Sequence, residues 1–180
     1  MGADLLLVTY SRTGTTATAA GWAAAALREA GLGVESFRVE PLLDLPYPLW
    51  LALSFFPGAR FPVRGSPAWE PSYRGCLLAM PKWTFACPPV NAFLARSAGR
   101  LPPTGVLVTC GGWDQDRYLR ALLRRLGRSG IRTLGGLAVR RRDVESGAAR
   151  ARVEAFALSC FDPREPPLSA RAGENDHEPL

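Results

Sequence analysis

The chain has 180 residues, of which 47% are hydrophobic and 21% charged, and a formal net charge of +6. This composition fits an ordinary globular protein, and no apolar run approaches the roughly 18 residues that suggest a membrane span. The N-terminal segment lacks the basic and apolar regions of a secretion signal, so we expect a cytoplasmic protein without a transmembrane span. The only histidine, His177, lies in a polar tail, which excludes histidine-based triads, and we predict no metal site.

The positive charge is unevenly distributed. Residues 162–180 hold two arginines and five acidic residues, and their net charge of −3 leaves +9 for residues 1–161. No aromatic residues interleave with the arginines and no binding motif accompanies them, so we predict no nucleic-acid partner. The tail 162–180 has four prolines and little to bury, which predicts disorder. Residues 1–161 are expected to form one domain.

The four cysteines offer no obvious site. They show neither a CxxC pair nor metal-ligand spacing, and two of them lie inside apolar runs. We expect all four to be reduced, structural thiols: Cys76, Cys87, Cys110 and Cys160.

Short apolar runs alternate with helical segments along the chain. The predicted strands cover residues 5–10, 34–39, 76–80, 105–110 and 133–139. The predicted helices cover 16–30 and 88–99, then a segment with leucines at 119, 122, 123 and 126, and finally 144–160. This alternation predicts an α/β protein with a parallel, doubly wound sheet. The strand order 2-1-3-4-5 fits, because the second strand mixes polar and apolar residues as an edge strand does.

The segment 41–67 interrupts this alternation. It holds six prolines, and no charged residue occurs from Leu45 to Ala59. Because the prolines forbid one long helix, we expect a short helix over 50–56 between extended arms. Packing of the segment on the sheet is the favoured interpretation. The functional alternatives are a lid, a dimer contact or a membrane-surface patch that admits an apolar quinone.

The turn YSRTGTT joins the first strand to the first helix. Ser11, Thr13, Thr15 and Thr16 supply four hydroxyls, and Gly14 allows a close approach of the backbone. A helix N-terminus attracts anions through its unpaired N–H groups and its dipole. No lysine follows the glycine, so the turn is not a nucleoside-triphosphate loop. We predict that it holds a phosphate, although a single Ser or Thr here could simply cap the helix.

Three segments together resemble the flavodoxin superfamily. Ser11-Arg12-Thr13-Gly14-Thr15-Thr16 is similar to the [ST]-x-T-G-x-T loop that cradles the phosphate of FMN in that family, and AMPKWTFACPPVNAFL and VTCGGW are similar to its segments after strands 3 and 4. The resemblance implies a flavodoxin-like three-layer sandwich with FMN as the cofactor. The insert and the PKW…PPVNAFL segment also look like a branch labelled dialkylresorcinol condensing enzymes.

The resemblance implies where the flavin ring would lie. Pro81, Lys82 and Trp83 would contact it from one side, with Trp83 beside the isoalloxazine. The other predicted contacts come from the loop after the next strand: Cys110, Gly111, Gly112 and Trp113. A lysine beside the flavin would raise its reduction potential. The alternatives are a core role for Trp83 and a solvated strand-end role for Lys82.

These expectations together predict that the chain is an FMN-dependent oxidoreductase. It would pass electrons to an acceptor such as a quinone, and NAD(P)H is a candidate donor. No acid–base residues are predicted, because the flavin carries the electron chemistry. An electron-transfer partner without nicotinamide activity is the first alternative, although the basic body differs from the acidic surface of free flavodoxins. A flavin-free accessory protein on the same fold is the second. A homodimer through 41–67 is a further hypothesis.

Overall fold

The structure, a computed structural model, describes residues 3–70 and 73–161. Its strands are β1 (Leu5–Thr9), β2 (Val34–Arg38), β3 (Glu40–Pro41), β4 (Val63–Arg64), β5 (Gly75–Pro81), β6 (Thr104–Cys110) and β7 (Thr133–Arg140). Its helices are α1 (Thr15–Glu29), α2 (Tyr47–Ser54), α3 (Pro88–Arg96), α4 (Gln115–Arg128), α5 (Arg141–Glu145) and α6 (Arg150–Cys160). The predicted disordered tail lies outside the described residues.

The central sheet has five parallel strands in the order β2-β1-β5-β6-β7. This confirms the predicted order, because β3 and β4 form a separate antiparallel pair. The middle strands are apolar and buried on both faces, whereas β2 alternates between half-buried and exposed residues. A strand covered on one face only can keep polar residues on the other, so β2 takes the edge.

Two hydrophobic layers cover the sheet. We call the side of α1, α5 and α6 the alanine face, because Ala19, Ala20, Ala23 and Ala24 pack there against β1 and β5. We call the side of α3, α4 and the 41–67 segment the aromatic face, which buries Phe93 and the leucines of α4. The predicted leucine pattern of α4 therefore faces the sheet.

One predicted helix is divided in the structure. Residues 144–160 were expected to form a single helix, but α5 ends at Glu145 and α6 begins at Arg150. Gly147 lies between them with φ of +81°. A left-handed glycine commonly ends a helix, and the prediction of one continuous helix is wrong for this reason.

The 41–67 segment forms a short antiparallel pair and one helix. Its helix α2 begins at Tyr47, three residues before the predicted start, with a proline in its first turn. The Asn91 side-chain amide donates hydrogen bonds to the carbonyls of Pro57 and Ala59, at 3.3 and 2.8 Å. Arg96 donates to the Val63 carbonyl at 2.7 Å. Helix α3 therefore holds the segment against the aromatic face.

Candidate anion site at the carboxyl edge of the sheet

The loop after β1 presents an open helix N-terminus. Gly14 precedes α1 with φ of 89° and ψ of −28°, a left-handed conformation that suits glycine. No side chain caps α1, and the first N–H groups of a helix have no partner inside it. A Cβ built on Gly14 would meet nothing within 4 Å. The space beside Gly14 is therefore open at the helix end that carries the unpaired backbone donors and the positive end of the dipole.

The four hydroxyls of the loop are in different environments. Ser11 is only 8% exposed, and its Oγ has no hydrogen-bond partner among the described residues. Thr16 is buried and its Oγ1 lies 2.7 Å from Oγ1 of Thr109 at the end of β6. Thr13 is exposed and Thr15 half-buried. A buried hydroxyl without a partner is costly, so Ser11 is the side chain that most needs a ligand.

Thr109 is a site residue that the sequence interpretation missed. Its hydroxyl pairs with Thr16, and its carbonyl accepts the N–H of Lys82 at 2.7 Å. Thr109 thus connects the loops that follow β1 and β5. The one signal in the sequence was a polar residue near the end of the apolar run GVLVTC.

Arg12 joins the loop to the 41–67 segment. Its Nε lies 3.8 Å from a carboxylate oxygen of Asp44, and its Nη2 donates to the Leu45 carbonyl at 3.5 Å. Its guanidinium carbon also lies 5.7 Å from the centroid of the Tyr47 ring. The Arg12 side chain is 30% exposed, so it remains within reach of an anion at the loop.

Trp83 lies at the centre of an aromatic cluster. Its ring centroid is 5.7 Å from that of Tyr10 in an edge-on contact, and 5.6 Å from that of Trp50. Trp50 is fully buried and contacts Phe61 at 4.7 Å. Burial raises the pKa of Tyr10 and keeps the phenol neutral. Tyr10 and Trp50 were not predicted as neighbours of Trp83, because their contact depends on how the 41–67 segment folds.

Lys82 bridges the loops after β5 and β6. It follows Pro81, the last residue of β5, and its Nζ lies 4.8 Å from the Trp113 ring centroid and 5.7 Å from that of Tyr118. Trp113 is otherwise 68% exposed. The cation over two aromatic faces gives this exposed indole a preferred position.

The loop after β6 has an unusual backbone. Gly112 has φ of 106°, and Asp114 is the one non-glycine among the described residues with a positive φ, at 48°. Cys110 precedes them, buried, with its Sγ donating to Oε1 of Gln115 at 3.0 Å. Burial raises the pKa of this thiol, which disfavours a reactive thiolate. Gly111 is exposed, with nothing within 4 Å of a Cβ.

All predicted site residues lie at one edge of the sheet. Strands β1, β5 and β6 are adjacent and parallel, so the loops 10–16, 81–87 and 110–114 follow their carboxyl ends together. In open α/β sheets this edge forms the ligand crevice. A groove of about 400 Å³ borders the first loop and is lined by Ser11, Arg12, Gly14 and residues of α1 and β2. A second cavity of about 530 Å³ lies apart from these loops, between 57–60, α3 and α4.

Three further findings concern the described part of the chain. Residues 3–70 and 73–161 contain no group of three His, Cys, Asp or Glu side chains that could hold a metal ion. Over the same ranges, no helix combines the length and the hydrophobicity needed to cross a bilayer. The four cysteines within these ranges are free, which agrees with their predicted structural role.

Solved structures share this arrangement. A Bacteroides uniformis protein proposed to be a flavoprotein is 19% identical, with a TM-score of 0.67 over 87% of this chain and 98% of that one. A Lactobacillus acidophilus flavoprotein solved in complex with FMN is 14% identical, with a TM-score of 0.60 over 82% of this chain and 99% of that one. The fold is therefore flavodoxin-like.

One curated relative is similar in sequence. The chain is 35% identical to an uncharacterised protein of Archaeoglobus fulgidus over 122 residues, which are 67% of this chain and 78% of the relative. The chain belongs to the same family as this archaeal protein. No family model matches, and membership of the dialkylresorcinol branch stays a prediction.

Proposed function

We propose that the chain binds FMN at the carboxyl edge of its sheet and transfers electrons through it. The observation that carries this proposal is the buried Ser11 hydroxyl without a partner, beside the uncapped N-terminus of α1. Hydroxyl and amide donors without lysine suit a monophosphate that is held but not transferred. The flavodoxin-like fold supports the choice of ligand, as does the structurally similar Lactobacillus acidophilus flavoprotein solved in complex with FMN.

Several residues of the first loop would together bind the phosphate. Ser11, Thr13 and Thr15 would donate hydroxyl hydrogen bonds, and the left-handed Gly14 would let the backbone amides approach. Arg12 would add a positive charge from the side of the 41–67 segment. Thr16 has a positioning role, because its hydroxyl is already paired with Thr109.

The loops after β5 and β6 would hold the ring. Pro81, Lys82 and Trp83 would contact it from the loop after β5, and Cys110, Gly111, Gly112 and Trp113 from the loop after β6. The aromatic cluster around Trp83 would keep water from the inner end of this crevice. Lys82 adds positive charge there, which would raise the potential of an electron-accepting group.

When bound, FMN supplies the electron chemistry, so the chain needs no acid–base pair of its own. We propose a quinone-type acceptor, because the loops after β5 and β6 each carry an exposed aromatic side chain, Phe85 and Trp113. Reduction by NADH or NADPH under anaerobic conditions would identify an oxidoreductase with its own nicotinamide donor. A holoprotein that neither nucleotide reduces would instead be an electron-transfer partner.

The binding step is tested by titrating the flavin-free protein with FMN and recording the visible spectrum. We expect a saturable, equimolar perturbation of the flavin bands in the wild type. Ser11→Ala should weaken binding about tenfold, as expected for one hydrogen bond to a charged group, and Gly14→Val should weaken it more.

Thr18→Ala is the matched control. Its hydroxyl lies one turn into α1 and donates to the Gly14 carbonyl at 3.3 Å, so its removal should leave FMN affinity unchanged. Equal affinity in the wild type, Ser11→Ala and Gly14→Val would refute the site. Absence of any perturbation in the wild type would favour the flavin-free accessory protein.

A further inference from the structure

The 41–67 segment and the loop after β5 display a cluster of exposed apolar side chains. Helix α2 buries only Trp50 and Ser54. Phe56 is 65% exposed and Leu43 61%. The cluster, called here the apolar patch, consists of Leu42, Leu43, Tyr47, Leu49, Phe55, Phe56 and Phe85. Exposed patches of this kind mark protein or membrane contacts.

The apolar patch is held firmly on the protein. The Ser54 carbonyl accepts the N–H groups of Phe85 and Ala86 at 2.9 and 3.0 Å, and the Ser54 hydroxyl donates to Oγ1 of Thr84 at 3.0 Å. The Phe55 and Phe85 rings meet edge to face at 6.1 Å. The patch is therefore a fixed surface made by two segments, rather than a loose loop.

An arginine stripe borders the apolar patch. A groove of about 160 Å³ separates Phe85 and Pro57 from Ala121 of α4, and Arg125 donates to the Pro57 carbonyl at 3.4 Å. Side chains three or four residues apart are neighbours on a helix surface, so Arg117 and Arg124 flank Ala121. The full stripe is Arg117, Arg120, Arg124 and Arg128.

The stripe carries an excess of positive charge. All four side chains are exposed, and none forms an ion pair with any residue in 3–70 or 73–161. No acidic residue lies between Leu45 and Ala59 either. Two acidic side chains lie nearby: Asp116 is one turn from Arg120 on α4, and Asp44 pairs with Arg12. The aromatic face therefore presents apolar side chains beside an excess of positive charge.

We propose that the apolar patch and the arginine stripe together dock the protein on an anionic lipid bilayer, with the patch in the interface and the arginines on the headgroup phosphates. Peripheral binding scales with buried apolar area and with attraction to anionic lipids, and juxtamembrane arginines strengthen it. Arginine suits this role because its guanidinium binds phosphate bidentately. The docking is independent of the FMN site and stands without it.

The charge pattern favours a bilayer over a second copy of the chain. In a two-fold dimer the same surface faces itself, so two arginine stripes would border one interface. Like charges placed together oppose such an association. Phosphate headgroups supply the opposite charge instead.

The experiment is flotation of the full-length protein with vesicles of phosphatidylcholine, with and without phosphatidylglycerol. We expect the wild type to float with the anionic vesicles, and less as salt is raised. Phe55→Ser with Phe56→Ser should reduce partitioning at least about tenfold. Arg117→Gln with Arg124→Gln should reduce it roughly 30-fold on anionic vesicles and so weaken the preference for them.

The matched controls lie on the alanine face. Leu158→Ser removes an apolar side chain that is 36% exposed on α6, and Arg152→Gln removes an exposed charge of the same helix. Both should float as the wild type does. Far-UV circular dichroism confirms that each variant is folded, and the two patch variants test the proposal through different residues.

Failure of the wild type to float with anionic vesicles overturns the proposal. Flotation that neither double substitution weakens overturns the assignment of this surface. A dimer in light scattering that the Phe55 and Phe56 substitutions dissociate, without wild-type flotation, would show that a second copy covers the patch. Binding of FMN is unaffected in each case, so the result is distinguishable from failure of the proposed function.

Discussion

On the alanine face of the sheet, small side chains bring α1 close to the strands. The aromatic face is built from large rings, prolines and arginines, and the cavities beside α4 lie there. The alanine face packs α1 closely on β1 and β5, and the groove that borders the anion loop opens between α1 and β2. The aromatic face supplies the exposed apolar and basic surfaces. Both meet at the loop 11–16, which begins the alanine-rich helix and contacts the 41–67 segment through Arg12.

The largest effect is expected on the aromatic face. Trp50→Ala removes a fully buried indole that contacts Phe61 and Trp83. We expect the free energy of unfolding to fall by about 3–5 kcal/mol in urea titrations. Phe56→Ala, at a ring that is 65% exposed, is the control and should change stability by less than about 0.5 kcal/mol. Equal effects would show that α2 is not packed as described.

On the alanine face, enlarging a buried side chain is expected to destabilise the protein. Ala23→Leu adds volume at a fully buried position of α1, and overpacking of this kind costs about 1–3 kcal/mol. Ala25→Leu, two residues along at a half-buried position, should cost clearly less, since leucine and alanine have similar helix propensities. Thermal unfolding of the two variants provides the comparison. Equal stability would contradict close packing of α1 on the sheet.

The smallest effect, taken per pH unit, compares a buried thiol of the aromatic face, Cys76, with a half-buried thiol of the alanine face, Cys160. Burial raises the pKa of Cys76 from 9.0 to about 12, and that of Cys160 to about 11. Between pH 9 and these values the unfolded chain has lost a proton that the folded chain keeps, so stability falls as pH rises. The slope is at most about 1.4 kcal/mol per pH unit for each thiol.

Cys76→Ala should flatten the fall in stability between pH 9 and 12 more than Cys160→Ala does. Tyrosines with raised pKa values also titrate here, so the measurement is the difference between each variant and the wild type in urea unfolding. Identical pH profiles in all three proteins would show that neither thiol is protected by burial.

The strands of the central sheet and the positions of the loops could be predicted from the sequence. Continuous apolar runs identified the central strands, and the mixed pattern of 34–39 identified the edge. The first helix was predicted to end at residue 30, and it ends at Glu29 with Gly31 left-handed just beyond, at φ of +86°. Local patterns carry this information because burial on one or both faces fixes which residues a strand can contain.

Long-range contacts at the site could not be predicted in the same way. Thr16 and Thr109 are 93 residues apart in sequence, and neither residue type requires the other. The neighbours of Trp83 depend on the path of a proline-rich segment whose helix starts at Tyr47 rather than at Trp50. Such contacts follow from tertiary packing. Unlike a helix or a strand, they produce no regular spacing of residues that could be read from the sequence.

The contact between Trp50 and Trp83 has an optical consequence. Their ring centroids are 5.6 Å apart and the planes are inclined at 49°, so the two indoles absorb as a coupled pair in a fixed chiral arrangement. One indole belongs to the 41–67 segment and the other to the loop beside the proposed flavin. The near-ultraviolet circular dichroism of the native chain should therefore show whether the 41–67 segment is packed against the loop after β5.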